Sequence, residues 1–487
     1  MNRMNQTTNS NPLNVKAMMA LLLFGGFLSL FNETILNVAL SSLMAEMQVS
    51  ATTVQWLSTG YVLIVAIMVP TSAFLLHTFT TRQIYSGAMG FFLAGTVIAA
   101  AAGSFPVLLA GRMVQAVGTG LLAPIMINSA LAIYPRKKHG FVMGVCTCVV
   151  LVGPSAGPIV SGVVLEFFSW RALFLMLIPL AALCIIGGLI FMGSTIEITK
   201  PQIDALSIIL SSIGFSLLVY GMSIVGSDTG AITTLLVFAV GIAALALFAV
   251  RQLRLPEPML DVRAFQKPYF TLGAVLVIVM QMVQFSLNII LPMLFEGRLG
   301  LSSLMSAVIL FPAVLMCSVM TIVSGRLYDR IGGKTLIPLG LAVMCAFLIV
   351  ISRTQPSTPV AVIAAINTLI YFGISLAWSP DQSNALRQLP PEGQTDGVAI
   401  VNTFIQLGSA LGTPLFVRLM SAGQAKYLAA GQAAADTGVQ VQALYGGFRY
   451  SMTVAAVIIA AAFLFSLTLK KEGRHMKKTA YTNEGEF

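Results

Sequence analysis

The stretch Val323-Ser324-Gly325-Arg326-Leu327-Tyr328-Asp329-Arg330-Ile331-Gly332-Gly333-Lys334 lies between two long apolar runs. Its charges are too costly for a bilayer core, so it reads as a connection between two membrane-crossing helices. An earlier connection, Thr71-Ser72-Ala73-Phe74-Leu75-Leu76-His77-Thr78-Phe79-Thr80-Thr81-Arg82, holds the same place between apolar runs. Ser72 and Ser324 align at a spacing of 252 residues. The same spacing carries the first apolar run, which starts near Ala17, to the one that starts near Phe270. The chain therefore repeats in parallel as two units, each with an even number of helices. A stretch from about Pro201 to Lys267 is left over as an insert. Parallel halves with a substrate site between them at mid-depth are the design of a secondary transporter.

Composition agrees with membrane residence. Of 487 residues, 57% are hydrophobic and only 9% charged, with a mean hydropathy of +0.90. Soluble domains carry about 25% charged residues. Apolar runs of about 20 residues begin near Ala17, Val54, Ile84, Pro106, Phe141, Ala172, Ala205, Ala231, Phe270, Ser303, Thr335, Val360, Gly397 and Ser451. The expectation is an all-α polytopic membrane protein with fourteen transmembrane helices, built as two six-helix bundles plus a two-helix insert. The expected divisions are an N-terminal tail at 1–16, a first bundle at 17–195, a linker with helices 7 and 8 at 196–268, a second bundle at 269–470 and a basic tail at 471–487. The first run is too long for a signal-peptide core and lacks a small-residue cleavage site, so it reads as an uncleaved helix.

The net charge of +10 is orientation chemistry rather than a nucleic-acid footprint. Arg136-Lys137-Lys138, Arg326, Arg330, Lys334 and the tail cations Lys470, Lys471, Arg474, Lys477 and Lys478 all fall on one side. By the positive-inside rule that side is cytoplasmic, together with both termini. Cys146, Cys148, Cys184, Cys317 and Cys345 all lie in apolar runs and read as core thiols, not as a disulfide framework or metal site. Gly332-Gly333-Lys334-Thr335 is no phosphate loop, since Tyr328 stands where that pattern needs glycine.

The connection G-R-L-Y-D-R-I-G-G-K at Gly325–Lys334 resembles the G-x-L-x-D-R-x-G-x-K signature of the major facilitator superfamily. Gly325 lets two helix ends approach, Asp329 can take a charge-assisted hydrogen bond, and the cations hold the loop cytoplasmic. The first copy has decayed. Leu76 occupies the aspartate position and Phe79 a glycine position, leaving Arg82 and Gly87. Other segments resemble the fourteen-helix drug:proton antiporter branch. Asn32-Glu33-Thr34-Ile35-Leu36-Asn37-Val38-Ala39-Leu40 is similar to its D-x-T-x-x-N-V-A-L, with the acid displaced by one residue. Arg112 through Gly118 resembles R-x-x-Q-G-x-G, with Ala116 for glycine. Gly153-Pro154-Ser155-Ala156-Gly157-Pro158-Ile159-Val160-Ser161-Gly162 resembles the fifth-helix motif of exporters. Trp170-Arg171, Phe174 and Pro179 follow the sixth-helix pattern, and Asn402 and Gln406-Leu407-Gly408 fit near the thirteenth helix.

Of the 44 Lys, Arg, Asp and Glu residues, only Glu33 and Arg112 read as lying well inside apolar runs. An intramembrane ionisable pair is a functional-site hypothesis by default. If the first helix continues to Leu40, both residues lie about 9–10 Å below the outer boundary. The resemblance makes their helices neighbours, so Glu33 and Arg112 are the expected proton-coupling pair, joined directly, through water or through Gln115. Polar faces at helical spacing nominate Asn32, Gln115, Gln281, Gln284, Asn288, Asn367, Tyr371 and Gln406 as cavity residues, with Trp56 as an aromatic wall. Helix packing is the structural alternative for each amide. Gly153, Pro154, Gly157, Pro158 and Gly162 form one expected conformational motif; Gly325, Asp329, Arg330 and Gly332 form the other. Asp381 and Asp396 read as solvated or capping residues at helix ends, and His77, His139 and His475 as cytoplasmic.

These features imply a proton-coupled exporter of hydrophobic or amphipathic drugs, working by alternating access in the bacterial inner membrane. It would need no cofactor or metal beyond the proton gradient. Its partners would be a small amphipathic substrate, protons and membrane lipid, with the protein a monomer. The rivals are export of an endogenous metabolite, lipid precursor or signalling molecule, and a membrane enzyme or sensor. The last lacks both an intramembrane catalytic constellation and a soluble output domain.

Overall fold

The computed structural model describes residues 12–54, 56–193, 204–224, 230–256, 258–301, 303–390, 393–429 and 437–469. The N-terminal eleven residues, part of the 196–268 linker and the basic C-terminal tail with His475 lie outside the described residues.

The described chain is all-helical, with fourteen long apolar helices. They are α1 (Pro12–Thr34), α2 (Trp56–Thr78), α3 (Thr81–Ala100), α4 (Phe105–Ile133), α5 (His139–Phe167), α6 (Leu177–Phe191), α7 (Ala205–Ile224) and α8 (Ala231–Arg254). The second half follows as α9 (Pro268–Leu299), α10 (Ser303–Ile331), α11 (Gly333–Ile351), α12 (Val360–Arg387), α13 (Gln394–Ala429) and α14 (Thr437–Ser466). Thirteen are long and apolar enough to cross a membrane, and Leu206–Met222 within α7 is a shorter apolar helix. In lipid only such internally bonded helices can span, because no water satisfies a free backbone group.

Local chemistry sets the boundaries. Thr80 and Gln83 form a reciprocal capping box that starts α3. Proline occupies the first turn of α4 and of α9, where its missing N–H costs nothing. Gly300, at φ +62°, ends α9, and Gly332, at φ +81°, admits the turn into α11. The repeat is visible in these limits. α3 starts at Thr81 and α11 at Gly333, the spacing that relates Ser72 to Ser324.

Helices α1–α6 form one bundle and α9–α14 the other. The bundles meet chiefly through α5 against α10 and α2 against α13. α7 packs on both α2 and α13, where Phe215 and Val219 bury against Ala66 and Leu407. α8 packs mainly on α7. Its foot is tied by a bidentate pair from Arg251 to Asp204 at 2.7 and 3.0 Å. That guanidinium holds the Asp204 carboxyl down to about 2. The insert thus lies along the seam between the bundles. The end bearing Arg136–Lys138, Arg326, Arg330 and Lys334 is termed the basic end below.

One boundary differs from the sequence expectation. The first helix does not run to Leu40; α1 stops at Thr34, a turn follows, and a short helix spans Leu40–Met47. Glu33 is therefore in the last turn of α1 rather than two turns below its end. Its depth cannot be counted from Leu40.

Candidate functional site

The break after Thr34 exposes main-chain carbonyls that a continuous helix would satisfy. Arg112 of α4 takes two of them. It donates to the carbonyl of Asn32 at 3.1 Å and to that of Glu33 at 3.4 Å. A cation here also suits the negative end of the helix dipole. Arg112 further donates to Gln115 Oε1 at 3.2 Å and lies over the Tyr61 ring, 4.0 Å from its centroid. Gln115 passes the order on by donating to Thr96 at 2.8 Å. Asn32 donates to the Tyr61 hydroxyl at 3.1 Å, and that hydroxyl pairs with Thr119. Arg112, Asn32, Gln115 and Tyr61 are all fully buried.

Of the three expected ways of joining Glu33 and Arg112, the direct ion pair is absent among the described residues. The guanidinium holds the backbone of Glu33, and Glu33 lines an adjacent cavity. The other side of the broken end is held by α5. Pro158 has no N–H to give the carbonyl of Pro154, so that carbonyl accepts the Thr34 hydroxyl at 2.7 Å. Gly153 and Gly157 bring the α5 backbone close to α1 at the same place.

The cavity, of about 270 Å³, lies between the bundles. Among the described residues, Glu33 is the one charged residue in its lining. Gln281, Gln284, Asn288 and Gln406 line it, together with Pro154 and Pro158. Its walls also include Val65, Leu310, Phe285, Phe311, Trp378 and Asn402. The Oε1 atoms of Gln281 and Gln284 are buried without a donor. Such acceptors favour a bound group with hydroxyl or ammonium donors.

Several expected cavity residues stand outside the lining. Asn32 and Gln115 are committed to the Arg112 network, one layer behind the wall. Tyr371 is also behind it, donating to Asn288 at 2.6 Å. Asn367 is buried in α12 away from the lining. Trp56 is 39% exposed and stacks on Tyr220 of the insert, 6.4 Å between centroids. Phe285, by contrast, was legible. It shares the helical face of Gln281, Gln284 and Asn288, but the polar pattern drew attention only to the amides.

The basic end is closed by backbone contact. Asp329 of α10 accepts from the N–H groups of Gly140 and Phe141 at 3.0 and 2.9 Å, satisfying free donors at the start of α5. Arg387 of α12 donates to Asp329 at 2.9 Å and to the carbonyl of Arg136 at 3.0 Å. Arg330, expected in this motif, is exposed, and Arg387 makes the ion pair instead. Gly140 and Gly325 face each other so closely that a Cβ on either would collide with the other's main chain. On the seam between α2 and α13, His77 Nε2 stands 3.7 Å from Asp396 Oδ1. Asp396, expected to be solvated or capping, is buried there. Asp381 is the larger departure. It is fully buried within α12.

Comparison with known proteins places this architecture. The family model described as Major Facilitator Superfamily matches residues 22–413. Lincomycin resistance protein LmrB of Bacillus subtilis is 40% identical over 465 residues, covering 95% of this chain and 97% of that protein. The LmrB of Listeria monocytogenes is 38% identical over 467 residues, covering 96% and 99%. A crystal structure of a double-tryptophan mutant of XylE superposes with a TM-score of 0.66 at 14% identity, covering 96% of this chain and 98% of that one. The two-bundle fold, the Asp329 connection and these matches agree: this multi-pass membrane protein, a transporter and not an enzyme, belongs to the major facilitator superfamily.

Proposed function

We propose that the protein is a proton-coupled exporter of amphipathic drugs, of the fourteen-helix antiporter branch, with lincosamide-like antibiotics as a leading substrate class. The observation that supports this most is the position of Glu33. Glu33 lines the cavity, while Arg112 holds its main-chain carbonyl. Protonation of Glu33 then competes with a cationic or hydrogen-bonding substrate for the same surface. The apolar walls suit the greasy part of such a substrate, and the Gln281 and Gln284 oxygens suit its hydroxyl or amine donors. The LmrB relatives are named for lincomycin resistance, which supports the substrate class. In this reading the basic end and both termini face the cytoplasm, the monomer is the working unit within membrane lipid, and the proton gradient is the energy source. The bundles divide as 17–195 and 269–470, with helices 7 and 8 in the 196–268 linker.

The test is lincomycin transport by purified protein in proteoliposomes under an imposed pH gradient. Wild type should accumulate drug with counter-flow of protons, and Glu33→Gln should bind drug but lose the gradient dependence. Undiminished gradient-driven accumulation by Glu33→Gln would show that Glu33 is not the coupling group.

A further inference from the structure

Asp381 is buried in the second bundle with no solvent exposure. Both of its carboxylate oxygens lack a hydrogen-bond partner. It faces α9 at Gly273, where an added Cβ would come within 3.3 Å of Oδ1. No described cation compensates it. α9 carries charge only at Glu296 and Arg298, far along the helix, with Lys267 just before its start. On α10 the charged residues are Arg326, Asp329 and Arg330, and on α11 only Lys334. α13 contributes Asp396, Arg418 and Lys426, and α5 contributes His139 and Glu166. On its own helix Arg387 is engaged by Asp329. None of these forms an ion pair with Asp381.

An ionised carboxylate without hydrogen bonds or a counter-charge is not sustainable in a protein interior; it acquires a proton or a partner. Position adds the second argument. Trp378, three residues earlier on α12, lines the central cavity. Ser379 contacts the other bundle, donating to the carbonyl of Gly140 at 3.4 Å. Asp381 is thus beyond the cavity floor and beneath the contacts that close the basic end. Ser379 and Arg387, on either side of Asp381 in sequence, both hold the closed basic end, so the carboxyl is within two turns of contacts that must part when that end opens.

We propose that Asp381 is a second proton-binding site, loaded while the basic end is closed and discharged toward that end when it opens. The site takes a proton and no metal, for one carboxylate beside Gly273 offers no ligand set. The role rests on the proton-coupled reading above, but the site itself can be tested without transport.

Infrared difference spectra of the reconstituted protein, recorded as pH is stepped, report the C=O stretch of a buried carboxylic acid directly. The expected result is a carboxylic-acid band that Asp381→Asn removes and Glu33→Gln leaves in place. A spectrum unchanged by Asp381→Asn would overturn the site. Proton flux per drug molecule in proteoliposomes then tests the role. Asp381→Asn should lower it while drug binding persists, and an unaltered ratio would overturn the proposed discharge. Asp381→Leu, which fills the space without a polar atom, should behave as Asp381→Asn in both assays. If wild type moves drug without any proton flux, the coupling reading fails, and the infrared band still decides whether Asp381 binds a proton.

Discussion

Arg112 donates to the main-chain carbonyl of Asn32, 3.1 Å away, where a continuous helix would have placed the amide of Leu36. The arginine therefore acts first on backbone shape, and through it on where Glu33 presents its carboxylate. A static side-chain ion pair would have sequestered that carboxylate from the cavity.

This relationship distinguishes arginine from lysine. Lysine keeps the charge but lacks the planar fork that reaches both carbonyls and Gln115 together. Arg112→Lys should leave at least one buried acceptor unpaired, at a cost of about 1–3 kcal/mol. The expected outcome is lower thermal stability in detergent and transport reduced about tenfold or more. Transport by Arg112→Lys at the wild-type rate would refute the role of the fork.

The contact between Gly140 and Gly325 predicts a conformational bias. Gly325→Ala drives a methyl group into the Gly140 main chain, which cannot rotate away. Overpacking of this kind costs about 1–3 kcal/mol, levied only on the state closed at the basic end. The closed population should fall relative to the open one by about 5- to 150-fold. Distances between spin labels on α5 and α10 measure this directly. An unaltered distance distribution would mean the glycine pair does not set closure.

Asp204 gives a pH prediction. Its carboxyl is held down to about 2 by the hydrogen bonds from Arg251, then by those from Ser207. A depressed carboxylate contributes stability above its unfolded value, about 3.9, and loses it as pH falls through the folded value. Hydrogen exchange at the foot of α7 and α8 should therefore be insensitive to this group between neutral pH and about 4. Asp204→Asn should raise exchange there at neutral pH. Equal exchange in the two proteins would show that the pair contributes nothing.

The sequence was informative where chemistry is local or repeated. The Asp329 connection, the helix count and the 252-residue spacing follow from composition and pattern. The amide face of α9 did reach the cavity, because Gln281, Gln284 and Asn288 share one side of a single helix. The break at Thr34 was not legible, for no glycine or proline marks residues 35–39. Its cause is on another helix, in the Arg112 guanidinium, and on a third, in the carbonyl freed by Pro158. Asp381 was misread because six residues separate it from a cationic helix end, which suggests solvent. It faces α9 at Gly273 and is fully buried there, and nothing in its own neighbourhood announces that. His77 and Asp396 are more than 300 residues apart in sequence, and only the seam between α2 and α13 brings them together.

The hydrogen bond from Thr34 to the carbonyl of Pro154 has a genetic consequence. The acceptor exists because residue 158 is proline, so the fate of a threonine on one helix is written into an imino acid on another. Replacing Pro158 with any other residue restores an amide that competes for that carbonyl. Thr34 and Pro158 are thus epistatic: the effect of changing either depends on the identity of the other. Variation at these positions should be inherited as a pair, even though their own side chains need not touch.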